Sequence, residues 1–277
     1  SADKQSRWEK SLKPDSNRHW SPEEDQLIHL SLDQSSKPEI KRSDKSRHNR
    51  VEKKKDDKNF KPDVIGFKDG EPQSVPAPTG QGTKFDGKLY FDLGRIGDFR
   101  YKSTSEDFKE RFAISIWINP ESGNAGSIIT KMPDKADEHE AGMPRTGGWG
   151  LFFMDGKVHF NMVREWGYDG YRAETENSLP VNQWHHVMLL FDGTQPYNRV
   201  NLYVDGLRQT LKINQGNFHL YWGLPGTPLR LGAGGGADMR FKGAMSDLRI
   251  YTRIPEDDEI AVLACREPLD KIAGKDA

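Results

Sequence analysis

Hydrophobic and polar residues alternate along most of the chain after about residue 82, and this alternation predicts β-strands. In FAISIWI, residues 112–118, every second residue is phenylalanine or isoleucine, as expected where successive side chains of a strand point to opposite faces of a sheet. QLIHLSLD, residues 26–33, alternates in the same way near the start of the chain. Further stretches that we interpret as strands lie at 126–132, 149–163, 184–193, 199–213, 228–234 and 240–253. Many short strands of this kind predict an all-β fold, an antiparallel two-sheet sandwich or jelly roll.

Asp-Gly pairs separate several of these strands. They occur at Asp86–Gly87, Asp155–Gly156 and Asp205–Gly206. Asp-Gly is a favoured pair for two-residue turns, in which both residues adopt positive φ. We therefore expect a tight turn at each of the three positions, with a strand on either side.

The two ends of the domain are predicted to be helical. Ser21, Pro22 and Glu24 supply a helix N-cap, a proline at the first position and an acid at the third. IPEDDEIAVLACR, residues 254–266, has acids in its first turn and then apolar residues at helical spacing. We expect a helical lead-in over 1–25, a β-sandwich over 26–264 and a C-terminal linker over 265–277.

Composition argues against two classes of partner. The net charge is −1 and the mean hydropathy is −0.84. The tract 41–58 has nine Lys and Arg against four Asp and Glu, but no aromatic residue that could stack on bases, so we expect no nucleic-acid binding. We expect 41–62 to be a solvated loop or a disordered insert. No apolar run approaches the ~20 residues of a membrane helix, so no membrane insertion is expected.

Three motifs that resemble catalytic or cofactor sites do not meet the geometry that those sites need. His185 and His186 are adjacent on a predicted strand, so their rings point to opposite faces and cannot share a metal ion. GAGGGA, residues 232–237, resembles a dinucleotide fingerprint, but a strand follows it where a helix is required. No predicted strand has the pair of acids that a glycosidase uses. We therefore expect no enzyme, and keep a polysaccharide hydrolase or lyase as the third alternative.

The order of the motifs resembles that of a concanavalin A-like, laminin-G-like jelly roll. QWHHVMLLFDG at 183–193, LYVDG at 202–206 and FKGAMSDLRIYTR at 241–253 are the most specific parts of a resemblance that covers about 26–264. The flanks RWEKSLKP and REPLDKIAG are similar to those of the lectin-like insert in planctomycete cytochrome-associated multidomain proteins. This resemblance implies an extracytoplasmic module among neighbouring domains. The chain has no C-x-x-C-H motif, so it holds no haem itself.

The same resemblance implies a structural calcium ion. Matched to the family pattern, the metal ligands are Asp33, Asp44 and Asp247, whose oxygen atoms suit a hard cation. The loop after Asp33 is long and basic, however, unlike the short loop of the family. The alternative is that Asp33 and Asp247 only cap turns and strand ends.

Aromatic and planar polar residues in the loops are candidates for a sugar-binding site, because such groups stack on sugar rings and bind hydroxyls. The candidates are Trp149, Arg164, Trp166, Tyr168, Tyr171, Tyr221 and Trp222. Large aromatics also pack long loops onto sheets, and this alternative stays open. We expect a non-catalytic module that binds a glycan or polysaccharide. The alternative is a structural or protein-interaction module that positions neighbouring domains.

Overall fold

The computed structural model describes residues 21–33, 39–40, 65–96, 111–134, 137–138, 144–145, 147–165, 169–192, 200–217 and 227–265. At 39–40, 137–138, 144–145, 164–165 and 217 only the backbone is described. The charged tract 41–62 lies outside these residues, as do the residues before Ser21 and after Cys265.

Two large antiparallel sheets form a sandwich, which confirms the predicted all-β jelly roll. The first has nine strands: β1 Gln26–Leu30, β2 Glu39–Ile40, β4 Gln73–Ala77, β5 Gly80–Asp86, β7 Phe112–Pro120, β14 His185–Phe191, β15 Val200–Val204, β16 Leu207–Arg208 and β19 Lys242–Tyr251. The main order is β16-β15-β14-β7-β19-β1-β2, with β5 beside β19 and β4 beside β5. We call this sheet A.

Sheet B has eight strands: β3 Gly66–Lys68, β6 Tyr90–Asp92, β8 Gly126–Lys131, β11 Gly148–Met154, β12 Lys157–Glu165, β13 Asp169–Thr175, β17 Leu211–Asn217 and β18 Arg230–Leu231. Their order is β17-β13-β12-β11-β8-β18-β6-β3. A separate two-stranded sheet pairs β9 Asp137–Glu138 with β10 Pro144–Arg145. Strands β15 and β16 therefore lie at one end of sheet A, and β17 is the terminal strand of sheet B.

The core between the sheets is built from the alternating hydrophobic positions. Ile114 and Ile116 of β7 and Val187 and Leu189 of β14 are fully buried there. The opposite face of sheet A is buried as well, because Ile260 and Leu263 of the C-terminal helix pack on it. Strands β7 and β14 are consequently buried on both faces over most of their length.

The Asp-Gly turns are present, but only two of the three close hairpins between paired strands. Asp155–Gly156 joins β11 to β12, and Asp205–Gly206 joins β15 to β16; all four residues have positive φ. Asp86–Gly87 instead connects β5 of sheet A to β6 of sheet B. Strand alternation alone does not distinguish these two kinds of turn, since both follow the same local pattern.

One short helix is described, and it is the predicted C-terminal one. Helix α1 spans Asp257–Leu263. Its N-cap residue is Glu256, which forms a capping box with Glu259. Arg253 donates two hydrogen bonds to the Glu259 carboxylate, at 2.6 and 2.5 Å. At the other end, residues 21–25 form a bend and a turn rather than the start of a helix. Within the part of the chain described, no helix is long and apolar enough to cross a membrane.

Candidate functional site

The chain passes from sheet A to sheet B over two residues, and this crossover forms one wall of a cleft. Strand β16 ends at Arg208 and β17 begins at Leu211, so Gln209 and Thr210 bridge the sheets. The Gln209 N–H donates to Leu202 O at 2.8 Å, and Thr210 O accepts from Glu176 N at 3.0 Å. These two backbone bonds attach the crossover to both sheets.

The cleft has a volume of about 390 Å³ and is open to solvent. Its lining residues come from β13, β15, β16, β17 and the crossover: Tyr171, Val200, Asn201, Arg208, Gln209, Thr210, Leu211 and Ile213. Three of them are aliphatic and five have polar side chains, a mixture typical of ligand sites that combine apolar walls with a few orienting polar groups.

Tyr171 lies on the core side of β13, where its side chain is only 4% exposed. Its ring centroid is 6.5 Å from that of Phe160, so packing holds the ring in place. Among the residues described, no group hydrogen-bonds the Tyr171 hydroxyl. Burial raises the pKa of Tyr171 above its ordinary value of 10.0. The hydroxyl is therefore protonated at neutral pH and can both donate and accept a hydrogen bond.

Arg208 is oriented by a neutral neighbour. Its Nη2 donates to Asn201 Oδ1 at 2.5 Å, across the β15–β16 hairpin. Beside it, Gln209 Nε2 donates to Leu207 O at 2.8 Å, which leaves the Gln209 Oε1 acceptor available. The cleft thus presents a guanidinium, two side-chain amides and two hydroxyls, those of Tyr171 and Thr210.

The structure places two of the predicted sugar-binding side chains, and they lie in different environments. Tyr171 lines the cleft. Trp149 is fully buried in the core, 5.5 Å from the ring of Phe112 between centroids. The expected position of Trp149 at the rim of a site is corrected, because its strand turns the indole inward. Arg164 is in β12, but its side chain is outside the described part, as are Trp166, Tyr168, Tyr221 and Trp222.

The aspartates predicted to bind calcium are only partly described. Asp247 is buried, and its carboxylate binds His29 Nε2 at 2.8 Å and Arg249 Nε at 3.1 Å. Burial alone would raise the pKa of Asp247, but the His29 hydrogen bond and the Arg249 guanidinium hold it below its ordinary value. Asp33 accepts a hydrogen bond from Ser31 at 3.1 Å, and Asp44 lies outside the described residues.

A calcium site needs three or more such ligands to converge. In the described portion of the chain, no group of three or more His, Cys, Asp or Glu side chains is arranged to hold a metal ion. The Asp247 carboxylate binds a guanidinium at the position where the prediction places the cation. The calcium site stays a prediction.

The adjacent histidines have the separate environments that strand geometry predicts. His185 binds Asp205 Oδ2 and Pro180 O, both at 3.0 Å. His186, on the other face, is fully buried and lies 2.8 Å from Ser115 Oγ through Nε2. Burial lowers the pKa of His186 to about 4. Both histidines are structural and neither reaches the cleft.

Carboxyl groups in the described residues show no sign of a general acid, which would need a raised pKa. Wherever the pKa of a described carboxyl group is displaced, it is lowered, and this holds for Asp86, Glu121, Glu174, Asp247 and Glu259. At Glu174, burial would raise the pKa, but hydrogen bonds from Asn214 at 2.7 Å and Lys157 at 3.3 Å outweigh it.

A second polar feature lies on the outer face of sheet B. Asn161 on β12 and Gln215 on β17 are each aligned with the same residue of β13, Arg172. Asn161 Oδ1 and Gln215 Nε2 are buried and have no hydrogen-bond partner among the described residues. Because both atoms are covered, a ligand cannot reach them as it can reach the open cleft.

Sequence reasoning missed four polar residues of the cleft, Asn201, Arg208, Gln209 and Thr210. For this segment the sequence pattern predicts a tight turn at Asp205–Gly206 with a strand on either side. The only local signal is the polar run Arg-Gln-Thr between apolar strands. That run becomes a wall of the cleft only because the chain changes sheet there, which no local pattern shows.

A match between the sequence and a family model shows which family the chain belongs to. The Laminin_G_3 family, described as the concanavalin A-like lectin/glucanases superfamily, matches residues 97–261. The match covers more than half of the chain, so the chain belongs to this superfamily. No curated protein matches the chain significantly.

Solved structures share the fold at low sequence identity. Domain 4 of AbnA, a GH43 extracellular arabinanase from Geobacillus stearothermophilus, solved in complex with arabinotriose, has a TM-score of 0.54 and 17% identity, over 86% of this chain and 98% of that one. The binding domain of Paraclostridial Mosquitocidal Protein 1 has a TM-score of 0.55 and 14% identity, over 87% of this chain and 52% of that one. The chain thus spans about half of the toxin domain. At these identities the similarity concerns the fold.

Proposed function

We propose that this domain is a non-catalytic carbohydrate-binding module and that the cleft between β13, β15 and β17 is its site. The observation that supports the proposal is the Tyr171 side chain, which lines the open cleft and whose hydroxyl has no partner among the described residues. A tyrosine whose ring is packed normally uses its hydroxyl in a polar contact. A ligand hydroxyl would supply that contact.

The remaining polar groups of the cleft suit a sugar. Side-chain amides and a guanidinium bind the hydroxyls of a sugar in defined directions, and Val200, Leu211 and Ile213 offer apolar contact for its C–H groups. The arabinanase domain that shares the fold was solved with arabinotriose, and this makes arabinotriose a suitable first probe.

Binding fits the site better than catalysis does. The described lining of the cleft includes no Asp or Glu, whereas glycoside hydrolysis requires two carboxyl groups on either side of the bond. Release of reducing ends from arabinan by the purified domain would instead support the hydrolase alternative.

A second candidate function is a protein-interaction module that positions neighbouring domains. Leu207 is 70% exposed and Ile213 is 43% exposed, so two apolar side chains face solvent beside the cleft. Under this alternative, Leu207→Ser would weaken association with the neighbouring domains and leave sugar binding unchanged. We also propose that the domain is part of an exported multidomain protein and that it binds a calcium ion. Repeating the binding assay in the presence of a chelator tests the calcium ion.

The test is calorimetric titration of the domain with arabinotriose and with a panel of other neutral oligosaccharides. We expect binding, and a loss of about fivefold in Tyr171→Phe, because one hydrogen bond contributes about 1 kcal/mol. Tyr90→Phe is the matched control, since Tyr90 lies on β6 beside Arg230 and Arg240 and is not among the residues that line the cleft. Equal affinity in the wild type and Tyr171→Phe would contradict the assignment of the cleft.

A further inference from the structure

We propose that the cleft selects sugars bearing an anionic substituent, a carboxylate or a sulfate ester, and that Arg208 is the residue that selects them. This inference rests on the proposed function, because it names the class of sugar that the same cleft takes. Three features of the described residues support it.

The first feature is the charge of the lining. Arg208 is the one charged residue among the eight that line the cleft, and none of them is Asp or Glu. Lys212 follows in β17, but it lies 3.6 Å from Glu174 and is partly neutralised there. Among the described residues, the lining of the cleft therefore has a positive charge that no acidic lining residue offsets.

The second feature is the contrast between Arg208 and other arginines. Arg230, Arg240, Arg249 and Arg253 each lie within 4.0 Å of a carboxylate oxygen. Arg208 has no such carboxylate among the described residues, and its one described hydrogen bond goes to the neutral amide of Asn201. Arg208 and Asp257 both act on the neighbouring Tyr203. Burial raises the pKa of Tyr203, the charge of Asp257 adds to the rise, and the charge of Arg208 opposes it.

The third feature is that a neutral side chain orients Arg208 and leaves its charge in place. The bond from Nη2 to Asn201 Oδ1 uses one of five guanidinium N–H groups. Arg208 also belongs to β16 and pairs with Tyr203, so its backbone is positioned by the hairpin. A planar guanidinium held in this way can bind a carboxylate or sulfate through two parallel hydrogen bonds. Asn201 thus orients the Arg208 side chain without neutralising it, so the guanidinium can bind an anionic group of a ligand.

The experiment compares four probes with the intact domain: a short oligogalacturonide, its methyl-esterified form, a sulfated oligosaccharide and neutral arabinotriose. We expect the free acid to bind about tenfold more tightly than the methyl ester, since a charge-assisted hydrogen bond is stronger than a neutral one. Added salt should reduce this difference. A preference for the sulfated probe over the oligogalacturonide would identify the sulfate ester as the anion.

Variants locate the selectivity. Arg208→Gln should abolish the preference for the free acid, and it should weaken the methyl ester and arabinotriose by the same smaller factor, since both lose only a neutral hydrogen bond. Arg208→Lys should retain part of the preference, because Lys keeps the charge but not the planar pair of donors. Lys88→Gln is the matched control, since it removes one exposed positive charge from the turn after β5, away from the cleft.

The outcomes separate the two proposals. Equal binding of the acid and the methyl ester, or a preference that survives Arg208→Gln, would overturn the role of Arg208 and leave the carbohydrate-binding function standing. Failure of every probe to bind would instead reject the proposed function itself.

Discussion

Arginine side chains occupy two polar regions of this molecule, and the two differ in how the charge is balanced. Near the glycine loop after β18, Asp134 Oδ2 accepts from Arg230 at 3.3 Å and from Arg240 at 3.2 Å, while Oδ1 accepts from Gly234 N at 3.0 Å. In the cleft, Arg208 donates to the neutral Asn201. We call the first region the Asp134 cluster.

This difference separates a structural role from a binding role. In the Asp134 cluster, each cation has a carboxylate, and the acid also fixes the backbone of the loop, so the region stabilises the fold. In the cleft, the polar side chains are oriented but do not use all of their hydrogen-bond donors and acceptors. This costs some stability and leaves donors and acceptors that a ligand can use. Mutations in the two regions should therefore affect different measurements.

The largest expected effect is a loss of stability at the glycine loop. Gly234 has φ +97°, and a Cβ there would overlap Thr130 Oγ1. We expect Gly234→Ala to lower the free energy of unfolding by about 3 kcal/mol or more, through strain and steric overlap together. Urea denaturation measures this. Gly80→Ala is the control, because Gly80 also has positive φ but nothing lies within 4 Å of its Cβ position; equal losses in both variants would show that backbone strain alone is responsible.

Acid pH should affect the fold but not the cleft. The pKa of His186 is lowered to about 4, from 6.5, by burial. Between these values the unfolded chain binds a proton that the folded chain does not. The free energy of unfolding should therefore fall by about 3 kcal/mol as the pH decreases from 6.5 to 4.

Denaturation at a series of pH values tests this, with His186→Gln as the comparison. The free energy of unfolding should depend less steeply on pH in the variant. Some dependence should remain in the same pH range, because burial also lowers the pKa of His159. The described residues that line the cleft include no Asp, Glu or His, so affinity for neutral arabinotriose should stay constant from pH 7 to pH 5. An affinity that falls in parallel with stability would show that the two regions are coupled.

A smaller loss is expected in the Asp134 cluster. Asp134→Ala leaves Arg230, Arg240 and Gly234 N without their shared acceptor, and should cost about 2 kcal/mol in urea denaturation. Asp134→Asn keeps an acceptor for Gly234 N and should cost less. Neither change should alter sugar binding. If both variants lost binding, the cluster would be part of the site.

The smallest effect on stability is expected at Arg208. The residue is exposed and has no carboxylate partner among the described residues, so Arg208→Gln should change the free energy of unfolding by less than about 0.5 kcal/mol. A loss comparable to that of Asp134→Ala would indicate that Arg208 is structural and would remove the distinction between the regions.

The sequence by itself determined the fold class and much of the strand order. Alternation at 112–118 predicts strand β7, because a strand that covers a core must be apolar at every second position. The short apolar run within 184–193, which ends at an Asp-Gly pair, predicts strand β14. The opposite faces of His185 and His186 follow from the same period. The C-terminal helix follows from its capping residues and acids, which act within a single turn.

Only the tertiary structure decided where the side chains meet. Trp149 and Tyr171 look equivalent in the sequence and both belong to the core cluster, yet only Tyr171 also lines the cleft. Arg208 and Gln209 are neighbours at the end of a hairpin, and they line the same cleft as Tyr171 only because the chain crosses there to sheet B. Local patterns report the period of a strand, whereas burial, ion pairing and the shape of a cleft depend on residues distant in the chain. The candidate site could not be read from neighbouring residues for this reason.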